Sequence, residues 1–141
     1  MADILDTFAI ASSGMSAERT RLQSIASNMA NARTTRTEDG GPYQRQVPVF
    51  KSESVDPFGN ALDVAASRVV VEEVKVDDRP PVRVYDPSHP DAGPDGFVAY
   101  PDISVLQEMV DLMTAQRTYE ANANVVESTR DMAMTALGIG R

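Results

Sequence analysis

The sequence predicts a mainly α-helical protein with a small β insertion, and three features of the chain indicate this fold class. Apolar residues recur at heptad spacing near both ends, which is typical of long helices that pair with other helices. Short β-like runs lie between them, separated by turns rich in proline, glycine and aspartate. We therefore expect long N- and C-terminal helices, paired as an antiparallel coiled-coil hairpin, with short β-strands in the middle segment.

The first helix is predicted from Ile4 to Ala32. Its heptad rows are Phe8, Met15, Leu22 and Met29, and Ile4, Ala11, Glu18, Ile25 and Ala32. Only Glu18 interrupts this stripe with a charge. Gly14 costs up to about 1 kcal/mol in a helix interior, so it should have a close packing partner.

The last helix is predicted to begin after Pro101 and Asp102 and to end at Gly138. Ser104 and Gln107 have the spacing of a capping box, in which two side chains satisfy backbone N–H groups at the start of a helix. Its rows are Val105, Leu112, Tyr119, Val126 and Ala133, and Met109, Gln116, Ala123, Arg130 and Leu137.

The middle of the chain has the pattern of short strands. They are predicted at residues 46–50, 68–76, 82–85 and 96–100, as a β-hairpin or a three-stranded sheet. Pro48 lacks an N–H donor, which places its strand at an edge. The domains would then be a terminal-helix core, residues 1–34 and 102–141, and a linker with a β-rich insertion, residues 35–101.

Two asparagines stand one turn apart where the first helical pattern ends, and they have two interpretations. Asn28 and Asn31 could lie at a helix seam, where an amide donates and accepts and thereby sets register. Alternatively, Asn31 is a helix C-cap and Asn28 is solvated. Asn122, in a second segment rich in asparagine and alanine, raises the same question.

The lengths of the two helices predict assembly with other subunits. Helices of about 28 to 36 residues span roughly 42 to 54 Å, whereas a globule of this chain length is less than about 40 Å across. Several apolar side chains flank the main stripe of the last helix: Leu106, Val110, Met113, Met132 and Met134. A lone copy would leave them in water, which favours packing between subunits. The alternative is a wholly intramolecular bundle that covers them with the β segment.

Composition argues against several classes of function. A net charge of −8 disfavours nucleic acid, and the absence of cysteine rules out disulfides and thiolate metal sites. No apolar run reaches about 18 residues, and Asp3 and Asp6 replace the basic residues of a secretory signal. His89 is the only histidine and lies between prolines, and no serine stands in a Gly-x-Ser-x-Gly context. We predict no enzyme activity, no metal, no cofactor and no transmembrane segment.

Both ends resemble the bacterial flagellar axial proteins, the family of rod, hook and hook-associated subunits. The stretch "SGMSAERTRLQSIASNMANARTT" is similar to the family's N-terminal signature, and "EMVDLMTAQRTYEANANVVESTRDMAMTALGIG" to its closing helix. The closing helix and the segments "GGPYQRQVPVF" and "VYDPSHPDAGPDGFVAYPD" resemble the short proximal-rod type. Longer members place Thr-x-Gly-Tyr directly after the asparagine, whereas here Gly41 and Tyr43 follow Thr34 only after six intervening residues.

The resemblance implies a structural subunit of the proximal rod in the flagellar basal body, which polymerises through its terminal helices into a tube across the periplasm. Export would use the flagellar type III apparatus, without a cleavable signal peptide. Implied partners are copies of the chain, other rod proteins and the adaptor between the rod and the membrane ring. The alternatives are another rod position, or a cytoplasmic coiled-coil export adaptor or chaperone.

The residues predicted to form the subunit interface or the coiled coil belong to both terminal segments. They are Phe8, Met15, Leu22, Ile25, Asn28, Met29, Asn31, Val105, Met109, Leu112, Met113, Gln116, Tyr119, Asn122, Ala123, Val126 and Leu137.

Overall fold

The computed structural model describes residues 2–54 and 66–139 of the 141-residue chain. In chain order its elements are α1 (Ala2–Ala30), β1 (Gln46–Ser54), β2 (Ser67–Val76), β3 (Val82–Tyr85), β4 (Phe97–Tyr100) and α2 (Val105–Ile139). Two long helices thus precede and follow short antiparallel strands in the chain, which confirms the predicted fold class at this level.

The two helices have somewhat different ends from those predicted. α1 ends at Ala30, two residues early, because the Asn31 side chain bonds the Ser27 carbonyl at 2.9 Å and the chain turns away. At the start of α2, the Ser104 hydroxyl accepts the Gln107 N–H at 3.4 Å, which is half of the predicted capping box. The Gln107 side chain instead donates to Asp111 at 3.3 Å.

The strands form two separate two-stranded sheets, not the single hairpin or three-stranded sheet that the sequence predicted. β1 pairs antiparallel with β2, with Gln46 opposite Val76 and a bulge after Val49, and β3 pairs antiparallel with β4. Residues 77–81 separate β2 from β3, and Pro80 and Pro81 in that stretch cannot donate to a ladder. Within the described residues, each strand is therefore an edge strand, including the one that contains Pro48.

α1 packs against three other elements, namely α2, β1 and β2. On the strand side, the Ser13 hydroxyl accepts the Val69 N–H at 3.1 Å. On the helix side, a Cβ added to Gly14 would lie 2.8 Å from the Asn122 amide nitrogen. This is the close partner that a glycine in the middle of a helix was predicted to have.

The buried apolar core of the described residues is small, and alanine dominates it. Its members are Ala11, Ala17, Ile25, Val98 and Ala115. The accessible surface of the chain is 10156 Å², against about 7,100 Å² expected for a compact monomer of this mass. The largest fully buried side chains include Glu108 and Asn28, which are polar. No helix in the described ranges is long and apolar enough to cross a membrane.

Candidate assembly surface and polar junction

The Asn28 side chain is 1% exposed and bonds three other segments of the chain. Its carbonyl oxygen accepts the Gln46 N–H at 2.8 Å and the Tyr43 hydroxyl at 3.1 Å. Its amide nitrogen donates to the Gln46 carbonyl at 2.9 Å and to Glu108 Oε2 at 3.3 Å. Asn28 therefore pairs with both backbone groups of the first residue of β1, as a neighbouring strand would.

Glu108 lies in the first turn of α2 and is also 1% exposed. Its second carboxylate oxygen accepts the Arg45 Nε–H at 2.7 Å. Because each carboxylate oxygen has a donor, the buried charge is both neutralised and hydrogen-bonded. We call Asn28, Tyr43, Arg45, Gln46 and Glu108 the polar junction.

Further ion pairs extend from the polar junction toward the end of β2. Arg45 lies 3.9 Å from Asp77 and 4.0 Å from Asp111. Arg79 bridges Asp77 and Asp102, each at 2.9 Å. The hydrogen bond from Arg79 lowers the pKa of Asp77 below its ordinary 3.8, since it stabilises the ionised carboxylate. A cleft of about 370 Å³ opens beside these groups.

The two asparagines at the end of α1 have different roles. Asn31 is half-buried; its amide donates to the Ser27 carbonyl, and its carbonyl oxygen accepts the Thr34 hydroxyl at 3.1 Å. These contacts lie within one turn, as the C-cap interpretation predicts. Asn28, by contrast, is neither solvated nor local, so the alternative that left it in solvent is wrong.

The segment between Thr34 and Tyr43 explains the unusual spacing of the tyrosine. The Tyr43 N–H donates to the Thr34 carbonyl at 3.0 Å, and the Thr37 N–H to the Gly41 carbonyl at 2.9 Å. Gly40 and Gly41 both have positive φ, near 85°, a backbone conformation that suits glycine. The intervening residues therefore loop out and return, and Tyr43 lies next to Thr34.

Apart from Asp111 and Ala123, the buried and half-buried residues of α2 recur at alternating steps of four and three. They are Glu108, Leu112, Ala115, Tyr119, Asn122, Val126, Thr129 and Ala133. We call this set the inner row. Because α1 is the only described helix or strand that packs on α2, the inner row faces α1.

The inner row corrects one of the two heptad rows predicted for α2. The row through Leu112, Tyr119 and Val126 is half-buried as expected, although Val105 at its start is 43% exposed. The other row begins at Glu108, one residue before the predicted Met109. The sequence favoured the apolar methionine, but the junction satisfies the glutamate and the methionine remains 42% exposed.

The other predicted interface residues have different degrees of exposure. On α1, Ile25 is buried, and the remaining apolar members are half-buried: Phe8, Met15, Leu22 and Met29. On α2, Asn122 and Ala123 are half-buried, whereas Met113, Gln116 and Leu137 are exposed. As contacts between subunits, all of them stay a prediction.

Two patches of exposed apolar side chains lie on α2. The first patch consists of Leu106, Val110 and Met113, exposed by 74%, 51% and 55%. The second patch consists of Met132, Met134 and Leu137, exposed by 61%, 64% and 71%. β1 and β2 pack on α1, and no described strand packs on α2, so the alternative of an intramolecular bundle beneath the β segment is wrong.

His89, the only histidine, and its neighbour Asp91 make structural contacts. His89 accepts the Asp91 N–H at 3.1 Å through Nδ1, and its ring meets Tyr100 edge-on at 6.2 Å. The Asp91 carboxylate accepts the Thr35 hydroxyl at 2.8 Å. Across residues 2–54 and 66–139, no group of acidic or histidine side chains has the arrangement of a metal site.

Comparison with known proteins identifies the family. The profile described as "Flagella basal body rod protein" matches residues 8–36, and "Flagellar basal body rod FlgEFG protein C-terminal" matches residues 95–139. The flagellar basal-body rod protein FlgC of Borreliella burgdorferi is 38% identical, over 92% of this chain and 93% of its own. This chain belongs to the FlgC family of flagellar basal-body rod proteins.

Other family members match over similar lengths. FlgC of Bacillus subtilis is 35% identical over 94% of this chain and 95% of its own, and FlgC of Salmonella typhimurium is 35% identical over 98% of both. These relatives confirm the resemblance to rod proteins of the flagellar basal body. They also confirm that the function is structural and that the chain is not an enzyme.

Sequence reasoning from periodicity missed most of the polar junction. Arg45 and Gln46 lie outside the helices, so the helical period does not include them. Glu108 is charged, and a hydrophobic pattern assigns charged residues to the exposed face of a helix. Spacing gave no signal for Glu108, because the predicted rows through Met109 and Leu112 also alternate between steps of three and four.

Proposed function

We propose that this structural rod subunit polymerises through its terminal helices into the part of the flagellar rod that crosses the periplasm. Residues 1–34 and 102–141 form its axial core, and residues 35–101 form the linker and the β-rich insertion. The observation that carries the proposal is the small core, which leaves both apolar patches of α2 exposed. Burial against neighbours would yield about 25 cal/mol per Å² of apolar surface.

Within the subunit, α1 and α2 pair as an antiparallel coiled-coil hairpin. Two contacts support this pairing: Asn28 bonds Glu108, and Gly14 faces Asn122. Gly14 lies fourteen residues before Asn28 in α1, and Asn122 lies fourteen residues after Glu108 in α2. Equal spacings in opposite directions are what an antiparallel pair requires. The alternating steps of the inner row are the spacing of a coiled-coil seam.

The partners we propose are copies of this chain, other rod proteins and the adaptor between the rod and the membrane ring. Export would use the flagellar type III apparatus, as the family resemblance implies. The cytoplasmic adaptor alternative has no support from the relatives, which are named as basal-body rod proteins.

Disruption of the first patch tests the proposal. Replacing Leu106, Val110 and Met113 with glutamine removes exposed apolar surface, so the free chain should stay folded and exported. Incorporation into purified basal bodies and swimming in soft agar should fall at least tenfold. Thr114→Gln with Thr118→Gln, on exposed positions of the same helix, is the matched control. Normal motility of the triple variant would contradict the proposal.

A further inference from the structure

The inner row of α2 repeats similar residue types from one heptad to the next. Leu112, Tyr119 and Val126 form its half-buried apolar row, and the row between them contains small or polar side chains such as Ala115 and Thr129. A slip by one heptad would place similar residues against α1. A seam of this composition specifies axial register only weakly.

The polar junction breaks this repetition. Asn28 donates to Glu108 and is at the same time bonded to both backbone groups of Gln46. Arg45, the residue before Gln46 in the chain, donates a hydrogen bond to the same Glu108 carboxylate. A slipped α2 would carry Glu108 away from both donors, because the Gln46 backbone holds Asn28 in place.

The cost of such a slip follows from burial. A carboxylate that is 1% exposed loses a large part of its stabilisation when its donors are removed. Apolar side chains of similar size would fill the same space with little net loss of stability, because the ions then need no desolvation. The distinctive effect of a buried polar group is therefore on the uniqueness of the packing.

We infer that Glu108 and Asn28 are register-setting residues, which lock the axial offset between α1 and α2 so that each subunit presents its two patches at the same height. This inference rests on the antiparallel pairing proposed above. A rod built from many copies needs this uniformity, because a one-heptad slip moves the outer face of α2 by about 10 Å relative to α1.

Spin-label distances on the full-length chain test the lock. The chain has no cysteine, so Gln23→Cys and Ser128→Cys, both at exposed positions, give two unique labelling sites. Gln23 lies five residues before Asn28 and is level with Met113, five residues after Glu108. Ser128 is fifteen residues beyond Met113 in α2, so its axial offset from Gln23 is about 22 Å. A one-heptad slip in either direction would change this offset to about 12 or about 33 Å.

The native junction should give one narrow distance. Glu108→Met, which keeps the side-chain length, should add a second population shifted by about 10 Å, and Asn28→Leu with Glu108→Met should enlarge it. Glu108→Gln keeps an acceptor for Arg45 and should restore most of the single distance. Asn31→Ala is the matched control, since Asn31 bonds only its own turn.

The outcomes separate the two proposals. If the native chain gives no defined distance, the antiparallel pairing fails and the lock fails with it. If the native chain gives one distance and Glu108→Met keeps it unchanged, the pairing stands and the lock is wrong. Circular dichroism checks that each variant retains its helices; should the double variant unfold, Glu108→Met alone decides.

Discussion

The inner row and the two apolar patches of α2 differ in how completely the chain itself buries them. In the inner row, Glu108 is buried and has a donor for each carboxylate oxygen. In the patches, Leu106, Met134 and Leu137 are more than half exposed. Polar residues therefore join the described elements of this subunit, and its exposed apolar surface is available to the neighbours that we propose. This is the reverse of a compact globular domain.

Removal of the Arg45 charge should give the largest effect on this contrast. Arg45→Met leaves Glu108 without its cation, and loss of one partner of a buried pair should lower the free energy of unfolding by about 2 to 4 kcal/mol. Arg79→Met is the matched control, because its partners are more exposed and should contribute under about 1 kcal/mol. Urea unfolding measures both, and equal losses would contradict the special role of the junction.

The next largest effect should be the difference in stability between variants of Asn28 and variants of Asn31. Asn28→Ala leaves buried backbone and carboxylate groups unpaired, at a cost of about 2 kcal/mol, whereas Asn31→Ala should cost under about 1 kcal/mol. Hydrogen exchange supplies a local measurement, since the Gln46 N–H donates to Asn28. The Gln46 amide should exchange faster in Asn28→Ala than in the unsubstituted chain, and at the unsubstituted rate in Asn31→Ala. Unchanged protection in Asn28→Ala would be inconsistent with the observed bond.

The Gly14 contact predicts a smaller, coupled effect. Alanine raises helix propensity by about 1 kcal/mol, but its Cβ would press on the Asn122 amide. Gly14→Ala should therefore stabilise the chain by about 1 kcal/mol in an Asn122→Ala background and by clearly less with Asn122 present. Thermal unfolding of the four variants of this cycle measures the coupling. Full additivity would show that the two residues do not meet.

The smallest expected effect is on the dependence of the free energy of unfolding on acidic pH. Because the Arg79 hydrogen bond lowers the folded-state pKa of Asp77, its contribution is fully present above the ordinary value of 3.8 and is lost as pH falls through the lowered pKa. Asp77→Asn should flatten the dependence of unfolding free energy on pH below about 4. Urea unfolding at several pH values measures this dependence, and an unchanged slope in Asp77→Asn would contradict the prediction.

Local patterns predicted most of the elements but not their association. The strands that begin at Gln46 and Val82 start where the sequence predicted, because β-branched runs between turn residues are a local signal. Their division into two sheets depends on the path of residues 77–81, which no periodicity describes. The position of Tyr43 beside Thr34 likewise depends on a loop that closes on itself.

The sequence by itself determined that the chain has two long amphipathic helices with an apolar surplus, since the period of the helix and the heptad are properties of neighbouring residues. It also identified the family through motifs at both ends. Only the tertiary structure decided which row of α2 faces inward, because rows that begin at Glu108 and at Met109 have the same period. The burial of a charge depends on partners that are distant in the chain, here Arg45 and Asn28.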